Sequence, residues 1–326
     1  MLGRTMLYSA YFGDGSDGDL TVASSKTVEI GCVQDGEQIY KQYNNLTIEA
    51  GGVLKPSNRC NGMVLLVKGD LTVNGTISVD KCAPLQNGNE DVALSEPHVR
   101  LCNLTGGRGG DGGGDTTGLT LGGMRGVGGE GHGLGGGFPG GGGSAHGWVN
   151  LHSENGICTK YNAGDGAPRP PAGIMFPYPA STTSNGLYGA GASFSTMRGG
   201  AAPGGGGAYV ASNCTNGNPG VDGDGYPGGA VWIFVRGKVV IGSAGVITAN
   251  GGNGGDGASG NSSQGVMAYG GGGGGGGIVA LIYNKEYTNN GTIRANGGVG
   301  GAGGGNGGGV GSVLVTTLMN LLRSAE

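Results

Sequence analysis

Residues 64–81 read VLLVKGDLTVNGTISVDK. A run of aliphatic residues breaks at Lys68–Asp70, resumes as Leu-Thr-Val, turns at Asn74-Gly75 and resumes as Thr-Ile-Ser. Val, Ile and Thr with a period of two mark strands. The same plan returns at 231–252, VWIFVRGKVVIGSAGVITANGG, and at 279–298, VALIYNKEYTNNGTIRANGG. Weaker copies are NLTIEAGGVLKP at 45–56 and DLTVASSKTVEI at 19–30. Self-similarity of this kind is the mark of stacked units. Two geometries fit the unit. Asn-Gly between strands can form a type I′ hairpin turn; alternatively, each unit is one coil of a β-solenoid with glycine at its corners. Near-identical strands that recur without alternating helices favour the solenoid. One segment could be a helix, VLVTTLMNLL at 313–322, and it reads equally well as a final strand.

Between the repeats the chain turns to glycine, which supplies 84 of 326 residues. Glycine loses more backbone freedom on ordering than any other residue, so such usage needs a structural return. The runs carry a period of three: residues 297–305 read GGV-GGA-GGG and residues 106–114 read GGR-GGD-GGG. A polyproline-II-type helix has three residues per turn and no internal hydrogen bonds. With Gly-Gly-x, two of its faces are bare backbone, so neighbouring helices can approach and pair their N–H and C=O groups. The expected fold is therefore all-β, with β-solenoid-like repeats combined with a glycine-rich polyglycine-II helix bundle. The solenoid-like region is expected at 1–102. The glycine-rich region, with interspersed β repeats and aromatic loops, is expected at 103–326. Mobile glycine linkers are the competing reading, but a linker has no reason to hold a period of three.

Charged residues make up only 12% of the chain and the net charge is −4, unlike the high charge typical of disordered chains. No basic run points to nucleic acid, and no apolar segment reaches the length of a membrane span. The N-terminal residues lack the continuous apolar core of a secretory signal. Release by lysis, as part of a virus particle, would take the protein outside a cell. The six cysteines, Cys32, Cys60, Cys82, Cys102, Cys158 and Cys214, include no CxxC pair, so a zinc site is unsupported. Disulfides are expected instead, with Cys60 and Cys82 flanking the strands of 63–79 as the first candidates. GGNGGDGAS at 251–259 matches a calcium nonapeptide through Asp256, and GGRGGDGGG matches as far as Asp111, but each stands alone rather than in tandem. The carboxylates of DGSDGD at 14–19 read first as turn residues. Acids such as Glu49, Asp70 and Asp80 are scattered singly, without the carboxylate pair a glycan-cleaving enzyme needs. Neither catalysis nor a cofactor is expected.

Aromatic residues are the best binding candidates. Trp148, Tyr161, Phe176, Tyr178, Tyr188, Phe194 and Tyr209 concentrate in one stretch that also holds PRPPAG and MFPYPA. Rings on loops rich in Gly and Asn suit adaptable surface recognition. The same rings could cover the bundle or pack between subunits.

The glycine islands are GGRGGDGGG (106–114), GVGGEGHGLGGGFPGGGGS (126–144), RGGAAPGGGGAY (198–209), GGNGGDGASG (251–260), Gly270–Gly277 and NGGVGGAGGGNGGG (296–309). Alternating with variable, aromatic-bearing segments, they resemble the glycine-rich tail-fibre tip adhesins of T-even-type phages. The resemblance spans roughly residues 103–311 and implies a polyglycine-II sandwich whose intervening segments bind a host receptor. The first hundred residues depart from it, being similar to the β-solenoid repeats of many phage structural proteins. The expectation is a non-enzymatic phage tail-fibre or adhesin-type protein of the virion surface, binding a host-cell protein or glycan. A self-assembling filament or decoration protein, with copies of itself as partners, is the alternative, and a glycan depolymerase stands well behind.

Overall fold

A computed structural model describes residues 11–34, 36, 38–83, 104, 226–254, 272–302 and 307–323, together with the backbone of 145–146 and 267–268. Short strands dominate, and each full repeat unit supplies three of them. The clearest unit gives β6 (Met63–Val67), β7 (Leu71–Val73) and β8 (Thr76–Ser78). Consecutive strands do not pair with each other. They enter three different five-stranded sheets, all parallel. Asn74-Gly75 is thus the corner between two sheets, and the hairpin geometry does not occur there.

The first sheet runs β3 (Ile39–Tyr43), β6, β10 (Ala230–Val235), β14 (Ile278–Tyr283), β17 (Ser312–Thr317). The second runs β1 (Leu20–Val22), β4 (Leu46–Ile48), β7, β11 (Val239–Ile241), β15 (Tyr287–Asn289). The third runs β2 (Thr27–Ile30), β5 (Val53–Pro56), β8, β12 (Val246–Thr248), β16 (Thr292–Arg294). The two remaining short strands, β9 (Ala145–His146) and β13 (Met267–Ala268), pair antiparallel with each other.

Register turns the repeat into columns of like side chains. Leu20, Leu46, Leu71, Val239 and Tyr287 stand in one column. Val28, Leu54, Ile77, Ile247 and Ile293 stand in another. These columns, with Met63, Leu65, Val67 and their partners on β10 and β14, form one buried core shared by all three sheets. Three-residue strands suffice because one or two inward positions fill the column: Leu71 and Val73 point inward around the half-buried Thr72, and in β8 Ile77 alone does so.

The first sheet differs from the other two. Its strands β6 and β10 are buried at every residue, which explains their unbroken aliphatic sequence. A second cluster covers the outer face: Val64, Leu66, Trp232, Phe234, Ile278 and Ile282 pack with Phe12, Leu318 and Leu321. Leu318 and Leu321 belong to α1 (Leu318–Arg323), where their spacing of three puts both on one face. Residues 313–322 are therefore strand first and helix second. The switch falls at Thr317, whose Oγ1 accepts the Asn320 N–H at 3.2 Å and caps the helix.

β6 and β10 lie on either side of residue 102, yet they are paired neighbours in one sheet. Asp70 and Lys238, whose Oδ1 and backbone N–H meet at 2.7 Å, are 168 residues apart in sequence.

Candidate interaction surface

Every long connection between described strands begins and ends at the same corner. The chain departs after β8, β12 and β16 in the third sheet and returns at β10, β14 and β17 in the first. After β8 and after β12 a polar side chain follows the strand and ties its coil to the next. Asp80 Oδ1 accepts the Asn250 N–H and, at 2.9 Å, the Thr248 hydroxyl. Asn250 Oδ1 accepts the Asn296 N–H at 2.9 Å, and Asn253 Oδ1 accepts that of Val299 at 2.9 Å. Backbone bonds run in parallel, from Val79 N–H to Thr248 C=O and from Ala249 N–H to Arg294 C=O. Carbonyl and carboxylate side chains are needed here because turning backbone loses its ladder partners.

Beyond this corner the glycine segments bond to one another. Gly228 N–H donates to Gly275, Gly274 to Gly252, Gly298 to Gly274, Gly308 to Gly298 and Gly276 to Gly309, at 2.8–2.9 Å. The segments touch through backbone. A Cβ on Gly277 would overlap the carbonyl oxygen of Gly229, one on Gly298 that of Gly252, and one on Gly311 that of Gly277. Close approach of main chains is thus the reason for glycine at these positions.

Next to the same corner, three cysteines follow β2, β5 and β8 in successive coils. Cys32, Cys60 and Cys82 are free thiols, so the expected Cys60–Cys82 bridge is not formed. The sulfurs turn to nearby carbonyls instead: Cys60 Sγ donates to Gly62 C=O at 3.6 Å and Cys82 Sγ to Asp80 C=O at 3.1 Å. Burial pushes the Cys60 and Cys82 thiols up to about 12, which makes them inert. Cys102, Cys158 and Cys214 lie outside the described residues. Beside the cysteines the Arg59 guanidinium sits 4.6 Å from the Tyr226 ring centroid. Gly62 has φ +104, and a Cβ there would strike the Trp232 ring.

The scattered acids prove to be ladder acceptors. Asp14 Oδ1 accepts the Ser16 N–H at 2.8 Å, as a turn residue does, and these hydrogen bonds lower its pKa. Asp17 accepts the Gln42 N–H and pairs with Lys41 at 3.0 Å. Burial opposes ionisation of Asp17, but these two partners outweigh it and the pKa falls. Asp19 accepts from Asn45, Glu49 from Ser24 and Asp70 from Lys238. The sequence shows these acids as isolated; their recurrence at the same corners was the available signal. Among the described residues no group of three His, Cys, Asp or Glu could hold a metal, and no helix is long and apolar enough to cross a membrane. The aromatic candidates Trp148, Tyr161, Phe176, Tyr178, Tyr188, Phe194 and Tyr209 lie outside the described residues, as do Asp111 and Asp256 of the calcium-like motifs. No protein-family model, curated protein or solved structure matches the chain.

Proposed function

We propose that the chain is a non-enzymatic display protein of a virion surface, of the tail-fibre or adhesin type. In this reading a β-solenoid is the rigid stem, a polyglycine-II layer braces its corner, and the aromatic segment carries receptor recognition. The observation that supports it is the common corner: strands stack in register while every long insertion between described strands begins and ends at one edge. Binding residues commonly sit on loops held by a rigid scaffold. The side-by-side hydrogen bonds among Gly252, Gly274, Gly298 and Gly308 support the polyglycine-II assignment, since such helices bond only to neighbours. The partner class is a bacterial surface protein or glycan.

The test is binding of labelled protein to a panel of bacterial outer-membrane proteins and surface polysaccharides. Saturable binding to at least one of them is expected. It should be abolished in the triple variant Trp148→Ala/Tyr178→Ala/Tyr188→Ala, with the melting temperature unchanged. Undiminished binding by the folded triple variant, or no binding anywhere in the panel, would overturn the proposal.

A further inference from the structure

Three thiols stand where successive coils leave the third sheet: Cys32 after β2, Cys60 after β5 and Cys82 after β8. All belong to one apolar cluster, Cys60 inside the core and the other two packed against it. Cys32 lies along the next coil. Its N–H donates to Ser57 Oγ at 3.0 Å, its C=O accepts the Asn58 side-chain amide at 2.9 Å, and its Sγ donates to Asn58 C=O at 3.3 Å. Four residues on, Gly36 pairs with Cys60 itself. Burial pushes the Cys60 thiol up, and a side-chain hydrogen bond with Cys32 adds to the rise, so these two sulfurs are neighbours.

The three differ in access. Cys60 is 1% exposed. Cys82 is half-buried, but its Sγ turns back to Asp80 C=O at 3.1 Å, and its Cβ would lie 3.0 Å from a Cβ placed on Gly229. Cys32 is half-buried between exposed Gly31 and Val33, which is 78% exposed. A reagent in solution therefore meets Cys32 first. Cys60, closed to solution, faces whatever Cys32 carries at an effective concentration no free thiol attains. Cys60 and Cys82 touch through backbone, Cys60 N–H donating to Cys82 C=O at 3.0 Å. Their sulfurs nevertheless turn to carbonyls of their own coils, so a bridge there requires two packed side chains to rotate.

We infer that Cys32 and Cys60 are an oxidisable pair, with Cys32 the entry thiol, Cys60 the resolving thiol, and a small aliphatic disulfide such as oxidised glutathione the oxidant. The Cys32 thiolate attacks one sulfur of the oxidant, whose S–S bond breaks and releases one small thiolate. The Cys60 sulfur then loses its proton and attacks Cys32 Sγ. The mixed S–S bond breaks, and the second small thiolate leaves. Two cysteine thiols are oxidised and one small disulfide is reduced to two thiols. Cys82 stays a thiol. The bridge closes a loop around β3, β4 and β5, joining two coils otherwise held by hydrogen bonds and packing, and it restricts the unfolded chain. Receptor recognition plays no part in this, and either reading can fail without the other.

Peptide mapping tests it. Wild-type full-length protein is treated with oxidised glutathione at mildly alkaline pH, quenched in acid, unfolded, alkylated and digested. Mass spectrometry should find the Cys32 and Cys60 peptides linked and Cys82 alkylated. The oxidised protein should melt a few degrees above the reduced one. In Cys60→Ala the glutathione adduct should accumulate on Cys32, because nothing displaces it. In Cys32→Ser, which keeps a hydroxyl beside Asn58, neither Cys60 nor Cys82 should react while circular dichroism shows the protein folded. A Cys60–Cys82 link, glutathione on Cys60 of folded Cys32→Ser, an adduct on wild-type Cys32 that never resolves, or no reaction at Cys32 would each overturn the inference.

Discussion

The three-sheet stack and the glycine layer at its corner are joined by similar hydrogen bonds but cohere for opposite reasons. In the stack, chains are held apart by side chains that interlock in columns, and stability comes from what the columns bury. In the glycine layer the main chains themselves touch, and the same side chains would force them apart. One region needs a Cβ at every inward position; the other forbids it. The contrast explains why a single chain combines aliphatic strands with glycine runs, and it can be broken by substitutions of opposite sense.

The largest effect is expected from Trp232→Ala. Trp232 is fully buried on the outer face of the first sheet, and its loss should cost about 3–5 kcal/mol in denaturant unfolding. In the glycine layer the smallest possible side chain should already do harm. Gly277→Ala is expected to cost about 1–3 kcal/mol, like overpacking a core. Amide exchange sharpens this point: Gly274, Gly298 and Gly308 donate to carbonyls of neighbouring segments and should exchange far more slowly than open-chain glycine. Asn250→Ala removes the acceptor for Asn296 N–H at the junction of the two regions and should cost about 1–2 kcal/mol.

A pH-dependent loss comes next. Burial holds the Cys60 and Cys82 thiols protonated up to about 12 in the fold, against 9.0 for an ordinary thiol. Their folded pKa values are raised, so this contribution is complete below about pH 8 and declines as pH climbs through 9 toward 12. Melting temperatures measured between pH 7 and 10 should fall, and the double variant Cys60→Ala/Cys82→Ala should flatten the slope. The smallest effect has the opposite sign. Gly31 is exposed and has no atom within 4 Å of a prospective Cβ. Gly31→Ala should stabilise by about 0.4–1 kcal/mol through the unfolded chain. Equal responses of Gly31 and Gly277 to alanine would erase the distinction between the two regions.

Strands are readable where branched residues alternate over a few positions, as in Leu71–Val73 and Thr76–Ser78, because that pattern is local. IYKQY, which forms β3, escapes such a reading: Lys41 stands at the inward position beside Leu65, Tyr40 and Gln42 stand outward, and only pairing with β6 defines the strand. The unbroken aliphatic runs of β6 and β10 signal burial on both faces, but what covers the outer face is hidden, because Phe12, Leu318 and Leu321 are far from those strands in sequence. The cysteines illustrate a limit of another kind. Their positions after successive third-sheet strands follow from the repeat, but the direction of each sulfur depends on the carbonyl beside it. At the corner, the asparagines of the ANGG exits are visible as residues and not as a ladder, because the ladder joins positions 46 residues apart.

The pairing of Asp70 with Lys238 has a consequence for how such a chain can change over generations. The entropy of closing a loop grows only with the logarithm of its length. Spanning 168 residues between these coils, rather than the 25 between Asn45 and Asp70, therefore costs roughly 1.7 kcal/mol more. That is less than one well-buried side chain. A stretch between β8 and β10 can be lengthened, shortened or exchanged wholesale at nearly constant expense, while the columns on either side remain in step. Any new segment faces one demand at its boundaries: to leave behind Asp80 and to re-enter through Gly228 and Gly229.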